Sequence, residues 1–433
     1  MDQDRPIIIT NTLYQLAAKF VSTFSALILS IVITRLLGAN TWGEYSVVMA
    51  FVSFFYVFTE FGLNGIAARE FSKVKRIDSK NFIGFFVARL LITLLVIAIG
   101  VFTLNLFNYP TYLKQAIYLS QIGVLFFSLG SSFNSVFQAK HSYKYLFYIT
   151  LLGSFINLCI LALIVYLKTS NILWLLVPMV VTDVSKFFIA YIFSKKIVSF
   201  KSYKVNWVVV KFYFLAALPL GVALIFNTLM TQIDRLMLSA MVPAIELGFY
   251  SLSYKLFDIA LVVPTFFMNA AFPILVMRYK TKKNYNLEFT QSYYLLFISA
   301  IIITLLGIGL SWYLIPAIWG SAMIPSIVSF NILISSTVLF YASSPISWCY
   351  VIENKMKYLV YFYFIGFVLN LVSNFFAIKY FGYVGAAFTT LLTELVVLIL
   401  LDTFRKKVLT VKYLPVSIPE IVKFVHSLKT KNA

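Results

Sequence analysis

The stretch TNTLYQLAAKFVSTFSALILSIVITRLL, Thr10–Leu37, carries only Lys19 and Arg35 as charges in an otherwise apolar and small-polar run. A helix that crosses a membrane needs about 20 mainly apolar residues, and this run is long enough. A lysine in such a helix costs about 2.5–3.5 kcal/mol on insertion scales unless it faces a partner or water. Lys19 is not isolated. At about 100° per residue, Thr12, Gln15, Ser22, Thr23, Ser30 and Thr34 share one stripe with it. The run reads as a spanning helix that turns one face away from lipid.

The pattern recurs. Glu60, Arg89, Asp183, Lys186, Lys255, Asp258 and Glu394 are also stranded between apolar segments. Of the 433 residues, 61% are hydrophobic and 12% charged, with mean hydropathy +0.92. Soluble domains average about 45–50% apolar and about 25% charged, so this composition excludes a globular enzyme on an anchor. Spans are expected near 10–37, 42–66, 80–106, 113–138, 143–167, 171–194, 207–235, 246–276, 288–314, 323–352, 357–380 and 383–404. The fold class is an all-α integral membrane protein of about twelve transmembrane helices. Glu44 and Glu60 make the second span the least regular. The polar, acidic start, Met1-Asp-Gln-Asp-Arg5, is not read as a signal peptide.

Lysine and arginine assign the sides. Arg69, Lys73, Lys75, Arg76 and Lys80 follow span two, and Lys140 and Lys144 follow span four. Lys195, Lys196, Lys201, Lys204 and Lys211 follow span six. Arg278, Lys280, Lys282 and Lys283 follow span eight, Lys355 and Lys357 span ten, and Arg405, Lys406, Lys407 and Lys412 span twelve. The intervening connections hold Lys114, Lys168 and Lys379. The alternation puts both termini in the cytoplasm. It also accounts for most of the net charge of +20, so that charge is no argument for nucleic acid as a partner.

Twelve spans divide into two sixes of like orientation, as in parallel repeats. Gly43-Glu-Tyr45-Ser46 resembles Gly248-Phe-Tyr250-Ser251, and Arg35-Leu-Leu resembles Arg235-Leu-Met. The expected organisation is an N-lobe over 1–200, a C-lobe over 201–408 and a tail over 409–433, with 195–206 as the cytoplasmic linker. In the tail, Ile421, Phe424, Val425 and Leu428 recur at helical spacing, either as a short interfacial helix or as a frayed basic end.

Three more stripes emerge. Trp42, Tyr45, Ser46, Met49, Ser53, Tyr56, Glu60 and Asn64 align on span two. Asn227, Thr231 and Asp234, with Arg235 beside them, align on span seven, and Ser251, Tyr254, Lys255 and Asp258 on span eight. Lipid-facing polar groups are costly, so these helices are expected around a hydrated central cavity. Each charge has a plainer reading beside this one. Lys255 and Asp258, like Asp183 and Lys186, have the spacing of an intrahelical pair. Arg35 and Arg235 lie where side chains snorkel to the interface. Glu394 is isolated.

Cations at several depths suit an anionic head group, because arginine offers phosphate a planar donor fork and lysine a point charge. The tyrosines and Trp42 suit sugar faces. Lys19, Arg35, Arg89, Arg235 and Lys255 are the candidate substrate-binding cations. Glu60, Asp234 and Asp258 either hold those cations in place or carry H⁺ or Na⁺ for coupling. No nucleophile–base pair and no P-loop is present, so ATP is not the expected energy source. Cys159, Cys349, His141 and His426 make no metal spacing, and no cofactor is expected. Every connection is too short for a soluble catalytic domain.

The run Thr34-Arg-Leu-Leu-Gly-Ala-Asn-Thr-Trp-Gly-Glu-Tyr-Ser46 resembles the first inter-helix signature of polysaccharide flippases. Glu60-Phe-Gly-Leu-Asn-Gly-Ile-Ala-Ala-Arg69 looks like the segment that follows it, and Asp234-Arg235 with Gly248-Phe-Tyr250 like its counterpart in the second half. The family is the O-antigen and polysaccharide flippase group of the multidrug/oligosaccharidyl-lipid/polysaccharide exporter superfamily. The resemblance implies two six-helix lobes in a V, alternating access and ion-gradient coupling. Its implied substrate is an undecaprenyl-pyrophosphate-linked oligosaccharide, an O-antigen or capsule repeat unit, moved between leaflets of a bacterial inner membrane. Polysaccharide polymerase machinery and membrane lipids are the implied partners. Arg35, Glu60, Asp234 and Arg235 match signature positions; Lys19, Lys255 and Asp258 rest on the stripes alone. Peptidoglycan-precursor flippases usually have fourteen spans, two more than here. A drug antiporter of the same superfamily is the alternative. A sugar polymerase or ligase fits less well, because those enzymes need a long periplasmic loop.

Overall fold

The computed structural model describes residues 5–411 apart from 75, 170, 200–203 and 283. The first half comprises α1 (Arg5–Val32), a π-helical turn (Ile33–Leu37), α2 (Ala39–Glu60), α3 (Leu63–Ser72), α4 (Ser79–Leu104), α5 (Thr111–Ala139), α6 (Tyr143–Tyr166) and α7 (Ile172–Ser194). The second half comprises α8 (Trp207–Met241), α9 (Ala244–Thr281), α10 (Tyr285–Trp319), a 3-10 turn (Ser321–Met323), α11 (Ser326–Ile352) and α12 (Met356–Val408). Among the described residues there is no strand, only one isolated bridge between Ile77 and Val198. The side chains of Asn227 and Thr231, expected on the stripe of α8, lie outside the described residues, as does the tail helix expected around Ile421–Leu428.

Ten helices among the described residues are long and apolar enough to cross a membrane. The 53 residues of α12 are two helices that meet at Gly382, where φ is 57° and ψ −141°. The apolar start of α8, Trp207–Leu218, belongs to a helix of 35 residues. These account for each of the twelve expected spans. Helices satisfy their own backbone groups, which lipid cannot do. The large side chains they leave exposed are apolar, such as Leu94, Leu95 and Phe102 on α4 and Leu305, Leu306 and Trp312 on α10.

Span two departs from expectation. It was expected to run unbroken to residue 66, but α2 stops at Glu60 and the chain restarts as α3. Phe61 and Gly62 both adopt left-handed backbone, with φ of 42° and 72°. Gly62 reaches that region without steric cost, whereas Phe61 is strained there and needs surrounding structure to hold it.

The chain divides into two compact units, 1–248 and 249–433. This packing division falls one helix beyond the repeat boundary expected at residue 200. In the first unit α1 packs on α6, α6 on α7, α7 on α5, and α5 on α2 and α4; α8 lies against α2, α3 and α4. Its basic connections are fastened together. Ser199 donates its N–H to Ile77 O at 3.1 Å, and the Ser79 hydroxyl donates to Ser199 O. The Lys140 ammonium donates to Phe71 O at 2.8 Å and to Val74 O, closing the C-terminal end of α3. Its partial burial there holds the amine below the usual lysine pKa. In the second unit α11 packs on α10 and α12 around a core that includes Phe289, Tyr341, Tyr350 and Phe362.

Candidate functional site

The polar stripes of α1 and α2 are graded in exposure. On α1, Ser30 and Thr34 are buried near the π turn, whereas Thr12, Gln15, Lys19 and Ser22 are exposed. On α2, Trp42, Tyr45 and Ser46 are buried, and Ser53, Tyr56 and Glu60 are half-buried. The two helices meet mainly through the π turn, since α1 packs on α6 and α2 on α4, α5 and α8. The two helices thus converge at the π turn, where their stripes are buried, and part toward the start of α1, leaving a groove whose α1 side carries the exposed polar residues. The turn end is tight. Trp42 Nε1 donates to Gly248 O at 2.9 Å, and a Cβ on Gly43 would fall 2.4 Å from Ala244 O.

Lys19 lies on the open part of this groove. Arg35 is exposed within the π turn. At 1.5 Å rise per residue the two are about 24 Å apart along the helix, too far to hold one head group together.

Arg89 is fully buried and sits inside a web instead. Its Nη2 donates to Asn64 Oδ1 at 2.5 Å and its Nη1 to Ser128 O at 3.3 Å. Asn64 Oδ1 also accepts the Ser135 hydroxyl at 2.8 Å, and Thr93 and Ser128 pair their hydroxyls at 2.7 Å. The guanidinium carbon lies 5.2 Å from the Phe85 ring centroid, and Glu60 is within electrostatic reach. Arg89 was expected among the cavity cations; here it ties α4 to α5 and to the first turn of α3. Of the predicted residues, Glu60 and Arg89 are brought together, with Asn64 between their helices. Phe61 itself lies against α8, its ring centroid 6.3 Å from that of Phe214 and its backbone beside Gly221.

Asp234 is buried, and its Oδ1 accepts the Arg235 N–H at 2.8 Å. Arg235 is half-buried beside it on α8, within the first unit. On α9, in the second unit, Lys255 is half-buried and Asp258 exposed. Glu394 is buried and accepts the Ser343 hydroxyl at 2.6 Å.

Two groupings were not anticipated. Asp183, expected only as a partner of Lys186, accepts the Tyr56 hydroxyl at 2.8 Å, joining α7 to the stripe of α2. In the second unit Asn370 Nδ2 donates to Thr393 Oγ1 at 3.4 Å, Asn374 Nδ2 donates to Asn370 Oδ1 at 2.9 Å, and the Thr389 hydroxyl donates to Asn374. The readable signal was the four-residue spacing of Asn370 with Asn374 and of Thr389 with Thr393, which puts each pair on one helix face. Among the described residues no cluster of His, Cys, Asp and Glu could hold a metal ion.

An all-helical bundle with polar webs between its helices and apolar side chains outside is the architecture of a multi-pass membrane protein. The chain belongs to the polysaccharide biosynthesis protein family, whose model matches residues 8–278. Among solved structures it is similar to a lipid II flippase, MurJ, in an inward-closed conformation, with TM-score 0.75 and 14% identity over 96% of this chain and 91% of the other. It is similar to an inward-facing multidrug resistance MATE transporter, with TM-score 0.66 and 11% identity over 94% and 96%. A MATE transporter from Vibrio cholerae gives TM-score 0.62 and 10% identity over 93% and 97%. At these identities the likeness is one of fold. A search of curated protein sequences returned no significant match.

Proposed function

We propose that this protein is a flippase for an undecaprenyl-pyrophosphate-linked oligosaccharide, an O-antigen or capsule repeat unit, in a bacterial inner membrane. The observation that carries the reading is the groove of the first unit. Polar side chains stand along it within spanning helices, exposed toward the start of α1 and buried at the π turn. A drug-like apolar solute does not need such a wall, whereas a sugar head group whose lipid remains in the bilayer does. Membership of the polysaccharide biosynthesis protein family supports the same substrate class.

In this account both termini are cytoplasmic and the groove opens to the cytoplasm. Lys19, on its exposed wall, attracts the pyrophosphate; Arg35, Arg235 and Lys255 are later contacts along the path. Arg89 acts through Glu60 and Asn64, by fixing the break between α2 and α3. Glu60, Asp234 and Asp258 balance the cations or carry H⁺ or Na⁺ in exchange for the substrate. Alternating access then exposes the head group on the periplasmic side, where polymerase machinery takes it up.

The test is polysaccharide export in cells. Lys19→Ala is expected to lower surface polysaccharide by about tenfold or more, the loss of a charge-assisted contact to phosphate, at unchanged protein level in the membrane. Full export by a well-expressed Lys19→Ala variant would contradict this role.

A further inference from the structure

Behind the stripe of α2 lies a cavity of about 180 Å³ between α5, α6 and α7. Its polar lining is Asp183, Lys186, Asn134 and Thr150, and its apolar lining includes Phe126 and Phe127. At about 30 Å³ per water it has room for about six waters, a volume that suits one sugar ring rather than a chain. It adjoins the groove wall, because Tyr56 stacks on Phe127 with centroids 4.2 Å apart and sends its hydroxyl to Asp183.

Three features define what such a cavity accepts. First, Asn134 Oδ1 is buried with no hydrogen-bond partner. An orphaned acceptor of this kind is costly to bury and calls for a ligand that donates. Second, the charges are balanced. Lys186 lies within electrostatic reach of Asp183, which is 7% exposed. The tethered ammonium opposes entry of a metal cation, and the carboxylate opposes entry of an anion. A neutral ligand with several hydroxyls satisfies both, donating to Asn134 and Asp183 and accepting from Lys186. Third, Gly153 makes room for the lysine. A Cβ there would fall 2.4 Å from Lys186 Cε, so the stem crosses α6 where no side chain stands.

We infer that this cavity is a subsite for one neutral sugar ring of the head group, held by Asn134, Asp183 and Lys186 against the Phe127 side. The inference rests on the flippase reading and adds that the first unit itself selects the sugar.

Saturation-transfer-difference NMR on the full-length protein in detergent tests it, with free hexoses, 6-deoxyhexoses, N-acetylhexosamines and a uronic acid as probes. Wild-type protein is expected to transfer saturation to at least one neutral sugar and more weakly to the uronic acid. Asn134→Leu and Lys186→Met are expected to lower that signal about fivefold or more, as when hydrogen-bonding groups lose their partners. Asn134→Leu is expected to leave the melting temperature unchanged or raise it, since it removes an unpaired acceptor. The proposal is overturned if no neutral sugar gives a signal, if the variants retain it, if the uronic acid dominates, or if Asn134→Leu melts early. Sugar binding without movement of a lipid-linked sugar across vesicles would break the flippase reading and not the subsite.

Discussion

In the first unit the polar interior is built around cations: Arg89 is wholly buried among Asn64, Ser128 and Ser135, and Lys186 lines a cavity beside Asp183. In the second unit the buried arginine, Arg405, sits in the last turn of α12, donating to Asp402 and to Val411 O, while the middle of that helix carries neutral groups: Asn370, Asn374, Thr389 and Thr393 bond to one another, and buried Glu394 accepts the Ser343 hydroxyl. A buried cation stays only where several acceptors surround it, so it locks the geometry of the helices that supply them. A chain of amides and hydroxyls tolerates the loss of one member better, because each neutral bond contributes only about 0.5–1.5 kcal/mol net. The comparison teaches that the first unit fixes a charge inside its helices, whereas the second keeps its buried arginine at a helix end and joins the middle of its helices by neutral hydrogen bonds.

Substitutions can break this contrast. Arg89→Leu should have the largest effect, a loss of about 3–5 kcal/mol, because it removes one of the two donors to Asn64 Oδ1, the donor to Ser128 O and the counter-charge of Glu60 together. Thermal melting in detergent would show it as a large drop or as failure to accumulate; near-wild-type melting would remove the basis for calling the web structural. Asn374→Leu in the second unit should cost less, about 1–3 kcal/mol, by stripping an acceptor from Thr389 and a donor from Asn370. A loss as large as that of Arg89→Leu would erase the distinction between the units.

Gly153→Ala sharpens the comparison from the other side. The new methyl would meet the flexible stem of Lys186 rather than backbone, so the fold should lose less than about 1 kcal/mol. Displacement of the lysine should still weaken sugar binding measured by NMR. Glu394→Gln should have the smallest effect, within about 0.5 kcal/mol, because an amide carbonyl still accepts from Ser343. A marked drop in melting temperature would show that the carboxylate has a function in folding beyond that hydrogen bond.

The span count and the stripes of α1 and α2 were legible because hydropathy and helical period are properties of contiguous residues. Other features depended on distant ones. The break after Glu60 is carried by Phe61 and Gly62, an ordinary pair in an apolar run, and Phe61 packs against α8, far along the chain. The spacing of Asp183 and Lys186 pointed to each other and hid Tyr56, whose own place on a stripe gave no hint of α7. Asn134 lies in a run of mainly small polar residues, Ser131-Ser132-Phe133-Asn134-Ser135, that gives no sign that its carbonyl oxygen is left unpaired. Lys19 and Arg35 were both expected among substrate-binding cations at several depths, and the rise of their helix puts them about 24 Å apart.

The most direct measurement is leaflet-resolved transport of a fluorescent lipid-pyrophosphate-linked sugar by purified protein in sealed vesicles. The account predicts that wild-type protein equilibrates the label across the bilayer and that Lys19→Ala, folded and inserted to the same extent, does so about tenfold more slowly or not at all. Translocation at an equal rate by the two proteins would contradict the assignment of Lys19 on the groove, and no translocation by the wild type would contradict the flippase reading itself.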